Sequence, residues 1–246
     1  MANSTITPSQ ASTFASSQGE LIFSNFSKPF SSIEKQNQGD TSPAANGGIV
    51  ESQNIHAVIN VTDKPPSAST SALSQAFGSS KDYTGIAKTH ATIISNFDVD
   101  AGNVFYFHFS ATIDLQTKIH EPKIEKGNSS GDISFRLFDT TEIPKQNLQS
   151  FLSSLLSDNA THSIKKTPLD FFTLNGSLIT LGNNDSIKYE KSQNVLIYTG
   201  ETKFSVGGTQ EFANVSFKGF FQRSFPKETN LTLIALRISQ AGVTAS

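Results

Sequence analysis

The chain has 246 residues, with 19 Lys and Arg against 21 Asp and Glu for a formal net charge of −2, and it carries 20 Phe, one Met, no Trp and no Cys. Such a balance excludes the basic footprint of a nucleic-acid binder, and the absence of Cys excludes disulfides and thiolate-based metal or redox chemistry. No apolar run is long enough to form a membrane-spanning helix.

Charged residues make up 16%, below the ~25% of an average soluble domain, and Ser, Thr and Asn fill the gap. The surface is therefore expected to be neutral and hydroxyl-rich, which suits an extracellular β-protein. Within the core, each buried Phe is worth roughly 1.5–3 kcal/mol.

Residues 1–19 are rich in Ser, Thr, Gln and Ala and are expected to be irregular, leaving 20–241 as a single domain. Leu21 and Phe23 alternate in a first strand, Glu20 to Phe26. Lys28 to Asn46, with Pro29 and Pro43, reads as a long loop ending in the turn Asn46-Gly47-Gly48. Ile49 opens a short strand, and Ile55, Ala57, Ile59 and Val61 alternate in another. The Pro65-Pro66 stretch reads as loop, and Ala72, Leu73, Ala76 and Phe77 as one or two helical turns.

The clearest signal follows. Ala91, Ile93, Phe97 and Val99 alternate, then Asp100-Ala101-Gly102, then Phe105, Phe107, Phe109, Ala111, Ile113 and Leu115 on every second position. Successive strand side chains point to opposite faces, so this is a long half-buried strand. Together the two segments read as a β-hairpin. Ile133, Phe135 and Leu137 make the next strand. Leu148, Phe151, Leu152, Leu155 and Leu156 lie at helical spacing after Pro144, predicting one short helix near 145–157.

Asn175-Gly176 between Leu169–Leu174 and Ser177–Leu181 reads as a two-residue hairpin turn. Short strands follow at Ile187–Tyr189 and Val195–Tyr198, and Phe204 and Val206 precede Gly207-Gly208. Ala213, Val215, Phe217, Gly219 and Phe221 repeat the Phe-lined pattern, expected to meet its counterpart at 103–115 across two sheets. Ile234, Leu236 and Ile238 end the fold. The expected class is all-β: an antiparallel two-sheet β-sandwich, jelly-roll-like or Greek-key, with that one helix.

Candidate chemistry is sparse. Asp98, Asp100 and Asn103 around a Gly turn could supply two or three oxygen ligands to calcium; the same residues also suit an ordinary turn. Tyr106 and His108 share the polar face of the adjoining strand and form the best candidate ligand-binding platform. His56 and His108 could approach each other if their strands were neighbours. Nucleophile elbows and phosphate-binding loops are absent, and nothing selects a catalytic carboxylate pair. The nine Asn-x-Ser/Thr sequons carry little weight in a chain so rich in these residues.

Gly-Asp-Ile-Ser-Phe-Arg-Leu-Phe-Asp (131–139), Asp-Phe-Phe-Thr-Leu-Asn-Gly-Ser-Leu (170–178) and Phe-Gln-Arg-Ser-Phe (221–225) resemble segments of uncharacterised cyanobacterial secreted proteins, many of which carry a C-terminal sorting anchor of the PEP-CTERM type. The resemblance implies a secreted or cell-surface location and a β-sandwich fold, and no site residues. The resulting expectation is a non-enzymatic cell-envelope or extracellular-matrix protein, without a cofactor, that contacts itself or polysaccharide. The alternatives are a calcium-assisted carbohydrate-binding module, a polysaccharide-acting jelly-roll enzyme, and a filament or matrix subunit that exchanges its N-terminal segment between protomers.

Overall fold

The computed structural model describes residues 12–63, 65–144, 147–148, 150–152, 167–181 and 185–246, with the side chains of 55–59 and 63 left aside. Twelve strands run in chain order: β1 (Thr13–Ser24), β2 (Ser32–Ala45), β3 (Ile49–Asp63), β4 (Pro66–Ser79), β5 (Tyr83–Val99), β6 (Val104–Lys118), β7 (Glu125–Asp139), β8 (Asp170–Ile179), β9 (Ser186–Lys191), β10 (Val195–Ser205), β11 (Gln210–Ser224) and β12 (Thr229–Ala245). They form two six-stranded antiparallel sheets packed face to face. Sheet A has the order β10-β11-β6-β1-β4-β3 and sheet B the order β2-β5-β12-β7-β8-β9.

The expected class and the inward face of β6 are both found: Phe105, Phe107, Ala111, Ile113 and Leu115 are fully buried. One half of the inter-sheet space is a phenylalanine cluster. Phe107 meets Phe23 at 5.5 Å and Phe135 at 5.4 Å, both edge to face, and Phe97 of sheet B meets Phe105 of sheet A at 4.7 Å. Edge-to-face contacts suit the ring quadrupole and add to the area buried. The other half is lined by small residues: Ala15, Ser17, Thr70, Ala72, Ser74 and Ala76 from sheet A, and Ala87, Thr89, Ala91, Ser239 and Ala241 from sheet B. There the sheets approach closely enough for side-chain hydroxyls to bond across the gap. Ser74 Oγ lies 3.0 Å from Thr89 Oγ1 and 2.9 Å from Ser239 Oγ.

Several elements differ from the sequence reading. β1 begins at Thr13, inside the stretch expected to be irregular, and β2 occupies the expected loop 28–46. β2 is a polar, exposed edge strand held by backbone pairing to β5, and Pro43 is tolerated at such an edge. The residues read as helical turns at 72–77 belong to β4, whose small residues alternate inward with period two. β5 and β6 lie in different sheets, so the Asp100–Asn103 turn is a corner between sheets. β6 and β11 pair side by side in sheet A, so their Phe faces look together at sheet B rather than at each other. β8 runs straight through Asn175-Gly176.

The helix is present at 147–148 and 150–152, where Phe151 and Leu152 cover Ile94, Phe138 and Ile234 on the outer side of sheet B; Leu155 and Leu156 lie outside the described residues.

Gly176 faces the core rather than a turn. A Cβ there would sit 2.9 Å from Leu115 Cδ1 and 3.0 Å from Ile187 Cδ1. Gly176→Ala is therefore expected to destabilise the protein by about 1–3 kcal/mol through overpacking. A glycine serving as a positive-φ turn residue would show no such clash. Urea unfolding measures the loss, and an unchanged midpoint would contradict this packing.

Candidate functional site

Corner residues Asp98, Asp100 and Asn103 are exposed and already partnered. Ser31 Oγ donates to Asp98 Oδ2 at 2.6 Å, and Asn103 Nδ2 donates to Asp100 Oδ2 at 3.0 Å. Lys28 Nζ lies 2.5 Å from the same Asp100 oxygen. The hydrogen bond and charge of Lys28 hold the Asp100 carboxyl below its ordinary range. Calcium would have to displace this ammonium. Among the described residues no group of three or more His, Asp or Glu side chains converges as a metal centre requires.

Tyr106 and His108 lie on the outer face of sheet A, where Tyr106 is 42% exposed. The register places His108 beside Phe220 of β11, and Phe220 beside Leu196 of β10. The His108 and Phe220 rings are 6.1 Å apart. Phe220 was missed in the sequence because its inward neighbours Gly219 and Phe221 fix the phase and leave it looking incidental. β3, which carries His56, is separated from β6 by β1 and β4, so the two histidine-bearing strands are not neighbours.

The two sides of the sandwich differ. On one, β2 and β3 bridge the sheets, with Asn54 Nδ2 donating to the Asp40 carbonyl at 2.6 Å. On the other, edge strands β9 and β10 stand apart. Pairing fixes which way their side chains point. Ile187 and Tyr189 lie opposite Gly176 and Leu174, and Thr202 and Phe204 lie opposite Val215 and Ala213. All four therefore face the inter-sheet space. Yet Tyr189 is 50% and Phe204 61% exposed.

The result is a cleft of about 350 Å³ lined by Leu178, Ile187, Tyr189, Phe204, Val206 and Phe217, with Asp185, Ser186 and Thr202 among its polar lining residues. The Tyr189 ring packs 4.7 Å from Phe217, where the cleft meets the core. Of the eleven large apolar residues exposed among those described, seven fall between Leu181 and Phe212, on this side of the molecule. Each of these strands is legible in the sequence by itself, but the lack of a cover over their inward faces is a property of the assembled sheets.

Two buried carboxylates brace the surroundings. Asp170 on β8 is 1% exposed at its side chain and pairs with Arg223 Nη1 of β11 at 2.9 Å. It also accepts from Ser192 Oγ at 2.7 Å and Asn194 Nδ2 at 3.1 Å, both in the connection from β9 to β10. Glu211, inward on β11, accepts from the Gly207 and Gly208 amides at 2.8 and 3.1 Å and so holds the β10–β11 turn. Burial nevertheless raises its pKa. These groups tie the cleft's walls to the sheets at both ends.

No family model matches this chain, and no curated protein is significantly similar to it.

Proposed function

We propose that this protein is a non-enzymatic, exported β-sandwich of the cell envelope or extracellular matrix, acting through surface contacts with itself or with polysaccharide, and that the β9–β10 side is its contact surface. The carrying observation is the concentration of exposed apolar side chains there, Tyr189, Leu196, Tyr198, Phe204, Val206 and Phe212 among them. Tyr189, Phe204 and Val206 line the cleft together, and contiguous exposed apolar surface on a folded domain marks an interaction site. The low charge and hydroxyl-rich composition support an extracellular setting.

Fractionation of the native source should find the protein in the envelope or extracellular fraction. Phe204→Ser combined with Tyr189→Ser should release it from that fraction into the soluble one. Both residues are half exposed or more, so the fold should survive, as circular dichroism would verify. A protein confined to the cytosol would sink the proposal of export. An unaltered association in the double variant would sink the choice of surface.

Polysaccharide contact has a second support in the aromatic row of Tyr106, His108 and Phe220, beside Gln222 and Asn194. Sugars stack on exposed aromatic faces while amide side chains bond their hydroxyls. On this reading, calorimetry with soluble glycans gives heat that Phe220→Ala abolishes. Equal heats for the two proteins would remove the row from consideration.

A further inference from the structure

We infer that the partner at the β9–β10 side is a second copy of this chain, added edge to edge through β10 about a two-fold axis at Thr202. This rests on the reading of that side as the contact surface and names its occupant.

β10 ends sheet A, so the backbone groups along its free edge have no neighbouring strand among the described residues. A bulge at Tyr198 interrupts its pairing with β11, but Thr199 to Ser205 then run in regular register against Lys218 to Phe212. Seven residues are therefore available in extended form. Free edges are templates for another strand, and proteins usually block them with bulges or charges. Here the charges are arranged to accept a copy.

Glu201 and Lys203 flank Thr202, are exposed, and form no ion pair among the described residues. In an antiparallel pair centred on Thr202, Glu201 of each copy faces Lys203 of the other, twice by symmetry. Like charges directly opposite would be repulsive, and opposite charges stabilise the pair. The same register puts the 61%-exposed Phe204 opposite Gly200 of the other copy. Gly200 has no side chain, and the Phe217 ring lies so near that a Cβ there would be 2.8 Å from its Cε1. An incoming Phe204 thus meets no opposing side chain at Gly200 and packs against the Phe217 ring that already covers it.

β9, the edge strand of sheet B across the cleft, has the same arrangement, with Lys188 and Glu190 flanking Tyr189. Isologous contacts require this kind of self-complementarity.

The test uses the whole chain and sedimentation equilibrium over a concentration series. Wild type should show a reversible monomer–dimer equilibrium. Lys203→Glu and Glu201→Lys should each weaken it about tenfold or more, because each turns two attractive pairs into repulsive ones. Mixing the two variants should restore a heterodimer. One strand is then acidic at both positions 201 and 203 and the other basic at both, so each facing pair is again of opposite charge.

The chain has no Cys, so Thr202→Cys offers an independent measurement. Oxidation should link two chains through position 202, because residues opposite on antiparallel strands lie within disulfide reach. Thr199→Cys, whose opposite residue is Ser205, should give far less. A wild type that stays monomeric, variants that dimerise as well as wild type, or a mixture that fails to associate would each overturn the proposal. If wild type is monomeric but Phe204→Ser with Tyr189→Ser still releases it from the envelope fraction, the contact surface stands and its occupant is not a second copy.

Discussion

Asp170→Ala should lower the unfolding free energy by about 2–4 kcal/mol, below the full range for breaking a buried ion pair because the Arg223 left behind is 34% exposed. The Asp170 carboxylate is 1% exposed, and its oxygens accept from Arg223, Ser192 and Asn194. Alanine would leave the guanidinium without its carboxylate and two further donors without acceptors, although Arg223, 34% exposed at its side chain, can still reach water. Unmade bonds of buried polar groups cost more than made ones contribute. Asp170→Asn keeps the shape and an acceptor oxygen but loses the charge, so its loss should be smaller, about 1–3 kcal/mol. Urea denaturation gives both values. The network joins β8 of sheet B to Arg223 of sheet A and to the 192–194 connection. Hydrogen exchange should therefore rise first in β9 and β10 and leave β1 and β6 protected. Equal losses for the Ala and Asn variants would show that the carboxylate's charge contributes nothing to the lock.

Legibility in the sequence followed from how strongly one face was marked. β6 was readable because six inward positions are apolar while the positions between them are polar. β2 was not, because it buries neither face and exists through backbone pairing with β5; no side-chain period records that. β4 was misread because Ala and Ser are small enough to satisfy a helical spacing as easily as an alternating one. Sheet membership was the largest loss. A strand–turn–strand pattern does not say whether the chain pairs with itself or crosses to the other layer, and at Asp100–Asn103 it crosses. The candidate site suffered in the same way. Tyr106 and His108 could be read as outward from phase alone. The cleft depends on two edge strands from different sheets failing to meet, which is a property of the assembled sandwich.

β12 shows the same problem in one residue. Its apolar Ile234, Leu236 and Ile238 suggested that the even positions face the core, but Leu231, Leu233, Ala235, Arg237 and Ser239 do. Ile234 is buried on the opposite side, beneath Phe138 and Phe151. A charged residue at the centre of the inward face inverted the apparent phase. Arg237 is 0% exposed and lies where the phenylalanine half of the core gives way to the small-residue half.

Arg237→Met should stabilise the protein by about 1–4 kcal/mol, as replacement of buried charged groups by apolar ones of similar volume often does. The guanidinium fits because Gly19 and Gly131 face it. A Cβ at Gly19 would lie 2.5 Å from its Nε, and one at Gly131 3.2 Å from Nη1. Nη1 donates to the Asp132 carbonyl at 3.2 Å, while Nε and Nη2 have no partner among the described residues. Desolvation, only partly offset by the charge of Asp132, pushes the Arg237 pKa well below the ordinary arginine value, to about 9.

The sign follows from linkage. From about pH 9 up to the ordinary arginine value the unfolded chain holds a proton on this group that the folded chain has released. The wild type's stability should therefore rise relative to the variant's as pH increases through that window, by up to about 1.4 kcal/mol per unit. The difference between the two proteins cancels the titration of Lys and Tyr elsewhere. The advantage of Met should be full at pH 7 and shrink above pH 9. A second arm uses Gly19→Ala, expected to cost about 1–3 kcal/mol in the wild type by driving a methyl group into the guanidinium. Met is flexible and can yield, so the same substitution should cost less in the Arg237→Met background, a coupling readable as a double-mutant cycle. A less stable Met variant with an unchanged pH slope would mean that the guanidinium is better satisfied in its site than the geometry indicates.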